Sequence, residues 1–345
     1  MSPDPLAATA DAAHENLVFL IGSPRSGSTM LQRMIGSHSQ IFTHPEPHLI
    51  TPLAYLGYYD TVEKAPYDHI NAAAALREFC DELPRGEADY LDALRAYATT
   101  LYARVLAPTG KRLFLDKTPA YGLILPFLAK LFPRAKYVVL TRHPFAIFHS
   151  VAHSFFGGDY QQAHAFNPIV NRYVPAIGAF LRDPPVDLVH VRYEDVVAAP
   201  EREMARVIEH LGLPMEEACV EYGRAQHITK SFGDPMTVER HQRPVTSSLA
   251  KWAQDFLAQP AVHALGQQIA EELDPADLAA WGFPKAELFA AMAGQSALST
   301  QRRINAYALK RRVLLGLRRN VHANGLGLGD AVRKVRYYCD VLLRT

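Results

Sequence analysis

The chain has 345 residues, 49% of them hydrophobic and 21% charged, a composition typical of a folded globular protein with one large or two small domains. Its net charge of +1 gives no indication of a nucleic-acid partner, and we expect none. Three cysteines far apart in the sequence favour a reducing compartment and predict neither a disulfide framework nor a zinc site. Because no apolar run reaches the ~20 residues of a membrane helix, and the N-terminus lacks the apolar core of a signal peptide, we expect a cytoplasmic protein.

The predicted elements alternate between strands and helices along the chain. Short apolar runs predict strands, and apolar residues at helical spacing predict helices. In chain order these are a strand at 16–22, a helix at 28–39, a strand and loop at 111–119, a helix at 121–133, a strand at 135–144, a helix at 145–155, a strand at 186–196 and a helix at 200–214. This alternation predicts an α/β domain whose mostly parallel sheet is flanked by helices.

Charge divides the chain into unequal parts. From Gln301 onward there are 11 Lys and Arg against 2 Asp and Glu, whereas the first 300 residues carry a net charge of −8. We therefore predict a disordered or loosely ordered segment at 1–15, one domain at 16–295, and a basic helical extension at 296–345.

The stretch "LIGSPRSGSTML" (20–31) connects the first strand to the first helix. It has the P-loop spacing G-x-x-x-x-G-K-[ST], except that Ser28 stands in place of the lysine. A glycine-rich turn before a helix directs backbone N–H groups at one point, which stabilises an anion. A tight turn without a ligand is the alternative.

Two absences argue against a kinase or NTPase. The P-loop lysine is missing, and the nearest Walker-B candidate ends in Thr141 instead of a magnesium-binding aspartate. A transferred phosphoryl group carries about two negative charges and usually needs a metal. A sulfuryl group carries one, and Arg25 within the loop can serve a phosphosulfate without Mg²⁺.

Two motifs resemble those of sulfotransferases that use 3′-phosphoadenosine 5′-phosphosulfate (PAPS). "PRSGSTML" resembles the family's 5′-phosphosulfate loop, and "LTRHPFAIFHS" resembles its 3′-phosphate motif of an arginine and a serine eight residues later. The resemblance implies a P-loop-like sulfotransferase fold that binds PAPS and releases the 3′,5′-bisphosphate PAP. It implies these nucleotide-binding residues: Arg25, Ser26, Gly27, Ser28, Thr29, Arg142 and Ser150.

Two later segments extend the resemblance. "VRYEDVVAAPEREMARVIEHLGLP" (191–214) is similar to a stretch in which a tyrosine, here Tyr193, lies near the adenine; a core tyrosine is the alternative. "SSLAKWAQDF" (247–256) is similar to a segment that covers the nucleotide, where Lys251 is expected near the 3′-phosphate and Trp252 is expected to pack. The sequence departs from many cytosolic members at Arg25 and Met30, where those proteins have lysine and tryptophan.

The resemblance also implies catalytic residues. Glu46, in "FTHPEPHLITP", stands where tyrosylprotein sulfotransferases have their catalytic glutamate, and His48 is a second base or a residue that positions the acceptor. Lys117, in "LDKTPAY", corresponds to a lysine that contacts the bridging oxygen or the sulfuryl group. Arg25, in the loop, is a further catalytic candidate. The alternatives are a solvated loop glutamate and an exposed ion pair between Asp116 and Lys117.

One further histidine completes the catalytic candidates. His241 lies in a loop-like stretch (229–252) that resembles assembly-line sulfotransferase domains, where a histidine assists the acceptor hydroxyl. The pairs His44/His48 and His149/His153 are four residues apart without a third ligand, so we expect no metal site.

The sequence therefore predicts an enzyme that moves the sulfuryl group of PAPS onto a hydroxyl of a small-molecule, lipid or carrier-bound acceptor, without metal. A magnesium-dependent nucleotide kinase and a non-catalytic nucleotide-binding module are the alternatives. For residues 301–345 three interpretations stay open: packing on the acidic body or self-association into a homo-oligomer, binding to a membrane surface, and docking of an acidic carrier protein.

Overall fold

A computed structural model of the protein describes residues 15–54, 69–224, 243–244 and 249–293. At its centre is a sheet of five parallel strands in the order β2-β3-β1-β4-β5. The strands are β1 (Leu17–Gly22), β2 (Ile41–Pro45), β3 (Leu113–Lys117), β4 (Lys136–Thr141) and β5 (Leu188–Arg192). The predicted α/β class with a parallel sheet is confirmed.

Strand β1 lies in the middle of the sheet and is buried on both faces. Leu17, Phe19 and Ile21 pack in one hydrophobic cluster, while Val18 and Leu20 pack in the other. Since successive side chains of a strand point to opposite faces, an uninterrupted apolar run suits a strand that is covered by helices on both sides.

Thirteen α-helices cover the sheet in the described part of the chain. They are α1 (Ser28–Gly36), α2 (Ile50–Ala54), α3 (His69–Asp81), α4 (Glu87–Leu106), α5 (Leu125–Leu131), α6 (Pro144–Phe156), α7 (Tyr160–Phe166), α8 (Ile169–Arg182), α9 (Tyr193–Ala198), α10 (Pro200–His210), α11 (Lys251–Ala258), α12 (Pro260–Glu272) and α13 (Pro275–Trp281). Helices α1, α9 and α10 contribute to one apolar cluster. Helices α4 to α8 and α11 to α13 contribute to the other.

Two predicted elements change type within their predicted bounds. The strand predicted to reach Val196 ends at Arg192, and α9 begins at the next residue. Arg192 donates two hydrogen bonds to Asp195, at 2.7 and 2.9 Å, and acidic residues in a first turn stabilise a helix N-terminus. The helix predicted at 121–133 begins as a 3₁₀ turn, Pro119–Leu123, and becomes α-helical only at Leu125.

Several predictions concern residues outside the described ranges. These are the N-terminal segment up to residue 14, His241 in the predicted cover, and the basic extension at 296–345. Among the helices that the structure describes, none combines the length and apolar character needed to cross a bilayer.

Candidate active site

All five strands end at one edge of the sheet, and a predicted site residue follows or closes each strand. In a parallel sheet, the ligand crevice lies beyond the carboxyl ends of the strands. The residues at this edge are the 23–27 loop after β1, Glu46 after β2, Lys117 at the end of β3, Arg142 after β4, and Tyr193 after β5. The topology therefore assembles the predicted site from five separate parts of the chain.

In the loop between β1 and α1, the backbone at Gly27 lies directly against the ring of Tyr193. Gly27 has φ 94°, and a Cβ atom there would lie 2.4 Å from the ring of Tyr193. Arg25 also has a positive φ, of 69°. Such backbone strain in a non-glycine residue is often stored at a binding site. The loop thus excludes a side chain at Gly27 and turns the chain sharply into α1.

The N-terminus of α1 meets the requirements of an anion site. Gly27 is its N-cap, and no described side chain caps it, so the backbone N–H groups of the first turn are available to a ligand. The hydroxyls of Ser23 and Ser26 are buried and have no hydrogen-bond partner in the described part of the chain. Because buried hydroxyls normally have partners, these two fit an anion held in the loop.

Arg25 connects the loop to α6. Its Nε donates to the Ser150 hydroxyl at 3.0 Å, and Arg142 donates to the Arg25 carbonyl at 3.1 Å. The Arg142 guanidinium lies 4.3 Å from the centre of the Tyr193 ring, a cation–π contact. Arg25 therefore links Arg142 and Ser150, the two residues of the predicted 3′-phosphate motif.

Helix α11 packs against the start of α6. Trp252 is 1% exposed and stacks on His143 with ring centres 4.4 Å apart, which confirms the prediction that it packs. Trp281 donates to the Arg142 carbonyl at 2.8 Å. Lys251 is exposed at the first position of α11, so its charge is free to move toward a ligand.

Lys117 contacts one residue predicted to bind the nucleotide, Thr29, and one predicted to act as the base, Glu46. Its ammonium donates to Glu46 Oε1 at 2.5 Å and to the Thr29 hydroxyl at 3.5 Å. Lys117 is 1% exposed, and the Glu46 side chain is 17% exposed. The register explains the contact, since Pro45 of β2 lies directly opposite Lys117 of β3.

Glu46 is held ionised by its neighbours. Burial raises the pKa of Glu46, but the hydrogen bond with His48 and the charge and hydrogen bond of Lys117 outweigh it, so the pKa lies below the ordinary 4.5. His48 Nε2 is 3.7 Å from Glu46 Oε2, and its side chain is 43% exposed. The carboxylate is thus buried on the lysine side and reachable from the histidine side.

The segment that carries Glu46 and His48 is anchored by the end of β3. Both residues have positive φ, 30° and 52°. The His48 N–H donates to Thr118 Oγ1 at 3.4 Å, and the Ile50 N–H donates to the Tyr121 hydroxyl at 3.0 Å. Strained backbone persists where surrounding contacts fix it, and here the contacts come from the "DKTPAY" stretch.

Asp116 holds Thr118 and Tyr121, the two anchoring residues, through hydrogen bonds. Its carboxylate accepts hydrogen bonds from Tyr102 at 2.5 Å and from Tyr121 and Thr118 at 3.0 Å. Burial raises the pKa of Asp116 to about 6, despite the opposing effect of these three hydrogen bonds. The alternative of an exposed Asp116–Lys117 pair is wrong, because both residues are 1% exposed and contact different partners. The contacts of Thr118 and Tyr121 were not predicted, although both residues lie within four positions of Lys117.

Comparison with known proteins identifies a family for this chain. The family described as "Sulfotransferase family" matches residues 18–217, more than half of the chain. The chain belongs to the sulfotransferase family.

Individual relatives cover smaller parts. The chain is 37% identical to the nodulation protein NoeE of Sinorhizobium fredii over 131 residues, which is 38% of this chain and 30% of that protein. It is 22% identical to protein-tyrosine sulfotransferase 1 of Danio rerio over 243 residues, 68% of this chain and 65% of that protein. The chain therefore spans less than two thirds of the length of these relatives.

One solved structure is also similar. The sulfotransferase domain of the Synechococcus PCC 7002 olefin synthase is 26% identical, with a TM-score of 0.49 over 75% of this chain and 95% of that domain.

Proposed function

We propose that this protein transfers the sulfuryl group of PAPS to a hydroxyl of an acceptor by in-line displacement at sulfur, without a metal ion. The observation that carries the proposal is the contact of Lys117 with both Glu46 and Thr29. One buried cation lies between the helix N-terminus suited to the 5′-phosphosulfate and the carboxylate suited to the acceptor's proton.

Donor binding is divided between two groups of residues. Residues 26–29 offer backbone N–H groups and hydroxyls to the 5′-phosphosulfate at the N-terminus of α1. Arg142 and Ser150 bind the 3′-phosphate, because a guanidinium forks onto phosphate oxygens. Arg25 directly precedes residues 26–29 and contacts Arg142 and Ser150, so its charge lies between the two sets of residues. Lys251 approaches from α11.

In the transfer step, Glu46 and Lys117 each have one role. Glu46 takes the acceptor's proton as the acceptor oxygen bonds to sulfur, while the bond between sulfur and the bridging oxygen of the 5′-phosphate breaks. Lys117 stabilises the charge that develops on that leaving oxygen. The products are a sulfate ester and PAP.

The same contact explains how the carboxylate becomes a base. With Lys117 donating to it, Glu46 is a weak base because its pKa lies below 4.5. When Lys117 turns toward the leaving oxygen, it no longer neutralises Glu46 and the affinity of the carboxylate for a proton rises. Donor binding thus prepares the base.

His48 is the proposed contact for the acceptor hydroxyl. It lies 3.7 Å from Glu46 on the exposed side of the carboxylate. If Glu46 is the base, kcat/KM, which reports the pKa of the free enzyme, stays level as the pH falls toward 4.5. A fall in kcat/KM at a pH well above 4.5 would point to a different base.

A ligand panel followed by a transfer assay tests the proposal. We expect PAP to raise the thermal midpoint without added metal, since at 100 times its dissociation constant a ligand stabilises a fold by about 2.7 kcal/mol. We then expect labelled PAPS to lose its sulfuryl group to at least one hydroxyl compound, phenols included because a related protein is named a tyrosine sulfotransferase. Preference for ATP with Mg²⁺ would support a kinase, and binding of PAP without any turnover would support a non-catalytic module.

A further inference from the structure

A second polar cluster joins α6 to α11 and has no task in the transfer reaction. His149 and His153 lie four residues apart on α6, and Asp255 lies on α11. The sequence analysis found the histidine pair but no third ligand for it. Folding supplies that ligand, because the stacking of Trp252 on His143 lays α11 along α6.

The three side chains direct their polar atoms at one point. Asp255 Oδ2 is 2.6 Å from His153 Nε2 and 3.2 Å from His149 Nδ1, and the ligand atoms of all three residues lie within 4.8 Å of one another. Two histidines at i and i+4 on one helix face can bind a single metal ion. A carboxylate oxygen and two imidazole nitrogens are also ligands that zinc commonly has in proteins.

We propose that His149, His153 and Asp255 bind one divalent transition-metal ion, with Zn²⁺ as the best match to the ligand set. Tetrahedral ligands about 2.0–2.1 Å from zinc lie about 3.3 Å apart. The His149–Asp255 distance already has this value, and the His153 ring needs to move outward by about 0.7 Å to reach the same geometry. That ring is 48% exposed, so it is free to make the adjustment.

The surroundings of the cluster fit a three-ligand site with one open position. The Tyr160 hydroxyl donates to Asp255 Oδ2 at 2.7 Å, and such an outer hydrogen bond orients a metal-binding carboxylate. Asp255 and Tyr160 are buried, whereas His153 faces solvent. The ion therefore has an entry path, and a water molecule can occupy its fourth position.

The bound ion has a structural consequence for the donor site. It cross-links α6, which carries Ser150, to α11, which begins at Lys251. The ion takes no part in the transfer reaction, so metal binding does not depend on the proposed sulfuryl transfer.

Metal analysis of the untagged full-length chain tests the site. After removal of metal with EDTA, addition of Zn²⁺ and desalting, we expect about one equivalent of zinc per chain and a higher thermal midpoint. Co²⁺ should give the visible absorption of a tetrahedral site. Asp255→Asn and His153→Ala should each lose the zinc, the midpoint shift and the cobalt spectrum.

His164→Ala is the matched control, because His164 lies on neighbouring α7 and outside the cluster; it should retain about one equivalent. If Asp255→Asn does not fold, the same measurements on His153→Ala test the site, because the His153 side chain is half-exposed. A wild-type chain without stoichiometric zinc overturns the proposal, and so does equal zinc content in wild type and His153→Ala.

Discussion

The donor half and the acceptor half of the site are built in different ways. The donor half starts from one short stretch, residues 22–29, whose backbone turns at Gly27 and presents a helix N-terminus. The acceptor half is made of two distant segments, which meet because Pro45 and Lys117 are paired in neighbouring strands. The proposed phosphate site therefore depends on local backbone geometry, whereas the proposed acid–base pair depends on strand register and on buried side chains.

The largest effect is expected from the acceptor half. Glu46→Gln keeps the shape and removes the base, so turnover should fall by roughly 10²–10⁴ while PAP affinity stays the same. Lys117→Met should lower turnover as well, because it removes the cation at the leaving oxygen. Sulfuryl transfer from labelled PAPS and PAP titrations measure both quantities.

The exposed pair Lys130–Glu87, 2.9 Å apart, is the matched control for that comparison. Glu87→Gln and Lys130→Met should leave turnover unchanged, since exposed ion pairs contribute little. If Glu46→Gln turns over at the wild-type rate, the base lies elsewhere and the division of tasks between the halves is wrong.

The next effect concerns the carboxyl that supports the acceptor half. The pKa of Asp116 is raised from 3.8 to about 6 in the folded protein, so its contribution to stability is full below 3.8 and is lost as the pH rises through 6. The loss amounts to about 3 kcal/mol. Urea unfolding across this pH range should show it in the wild type.

Asp116→Asn supplies the reference, since it cannot titrate. The stability of the variant relative to the wild type should rise with pH across that window and then level off. A difference that is independent of pH would mean that Tyr102, Tyr121 and Thr118 keep the carboxyl ionised throughout.

Removing a side chain from the donor half should impair binding more than chemistry. Arg142→Ala should weaken PAP binding by about 1.5–3 kcal/mol, the usual range for a hydrogen bond to a charged group. Adenosine 5′-phosphosulfate lacks the 3′-phosphate, so its binding should be nearly unchanged. Calorimetric titration of both ligands measures the contrast, and equal losses would remove Arg142 from the 3′-phosphate site.

The last comparison, which includes the smallest expected effect, tests the backbone of the donor half. Gly110→Ala has a positive φ of 64° but no atom within 4 Å of the new Cβ, so it should cost about 1 kcal/mol of unfolding free energy. Gly27→Ala adds the overlap with Tyr193 and should cost about 1–3 kcal/mol more, with weaker PAP binding. Equal unfolding free energies for the two variants would show that the loop can relax away from Tyr193.

The secondary structure of the proposed donor half was predictable from the sequence because the necessary information is local. A strand, a glycine turn and a helix lie within residues 16–39, and eight residues separate Arg142 from Ser150 on adjoining elements. The prediction that Trp252 packs was also correct. The strand predicted through Val196 was wrong, since side-chain contacts of Arg192 with Asp195 favour a helix start there.

By itself, the sequence determined the parallel α/β class and the strand, glycine turn and helix around residues 17–36, and it named Glu46 and Lys117 as candidates. Tertiary structure alone decided that Lys117 contacts Glu46 and Thr29, that Asp116 contacts Tyr102, and that Asp255 reaches the two histidines of α6. The physical reason is that these contacts join residues far apart along the chain. Which distant side chains meet depends on strand order, register and helix packing, and none of these leaves a spacing pattern in the sequence.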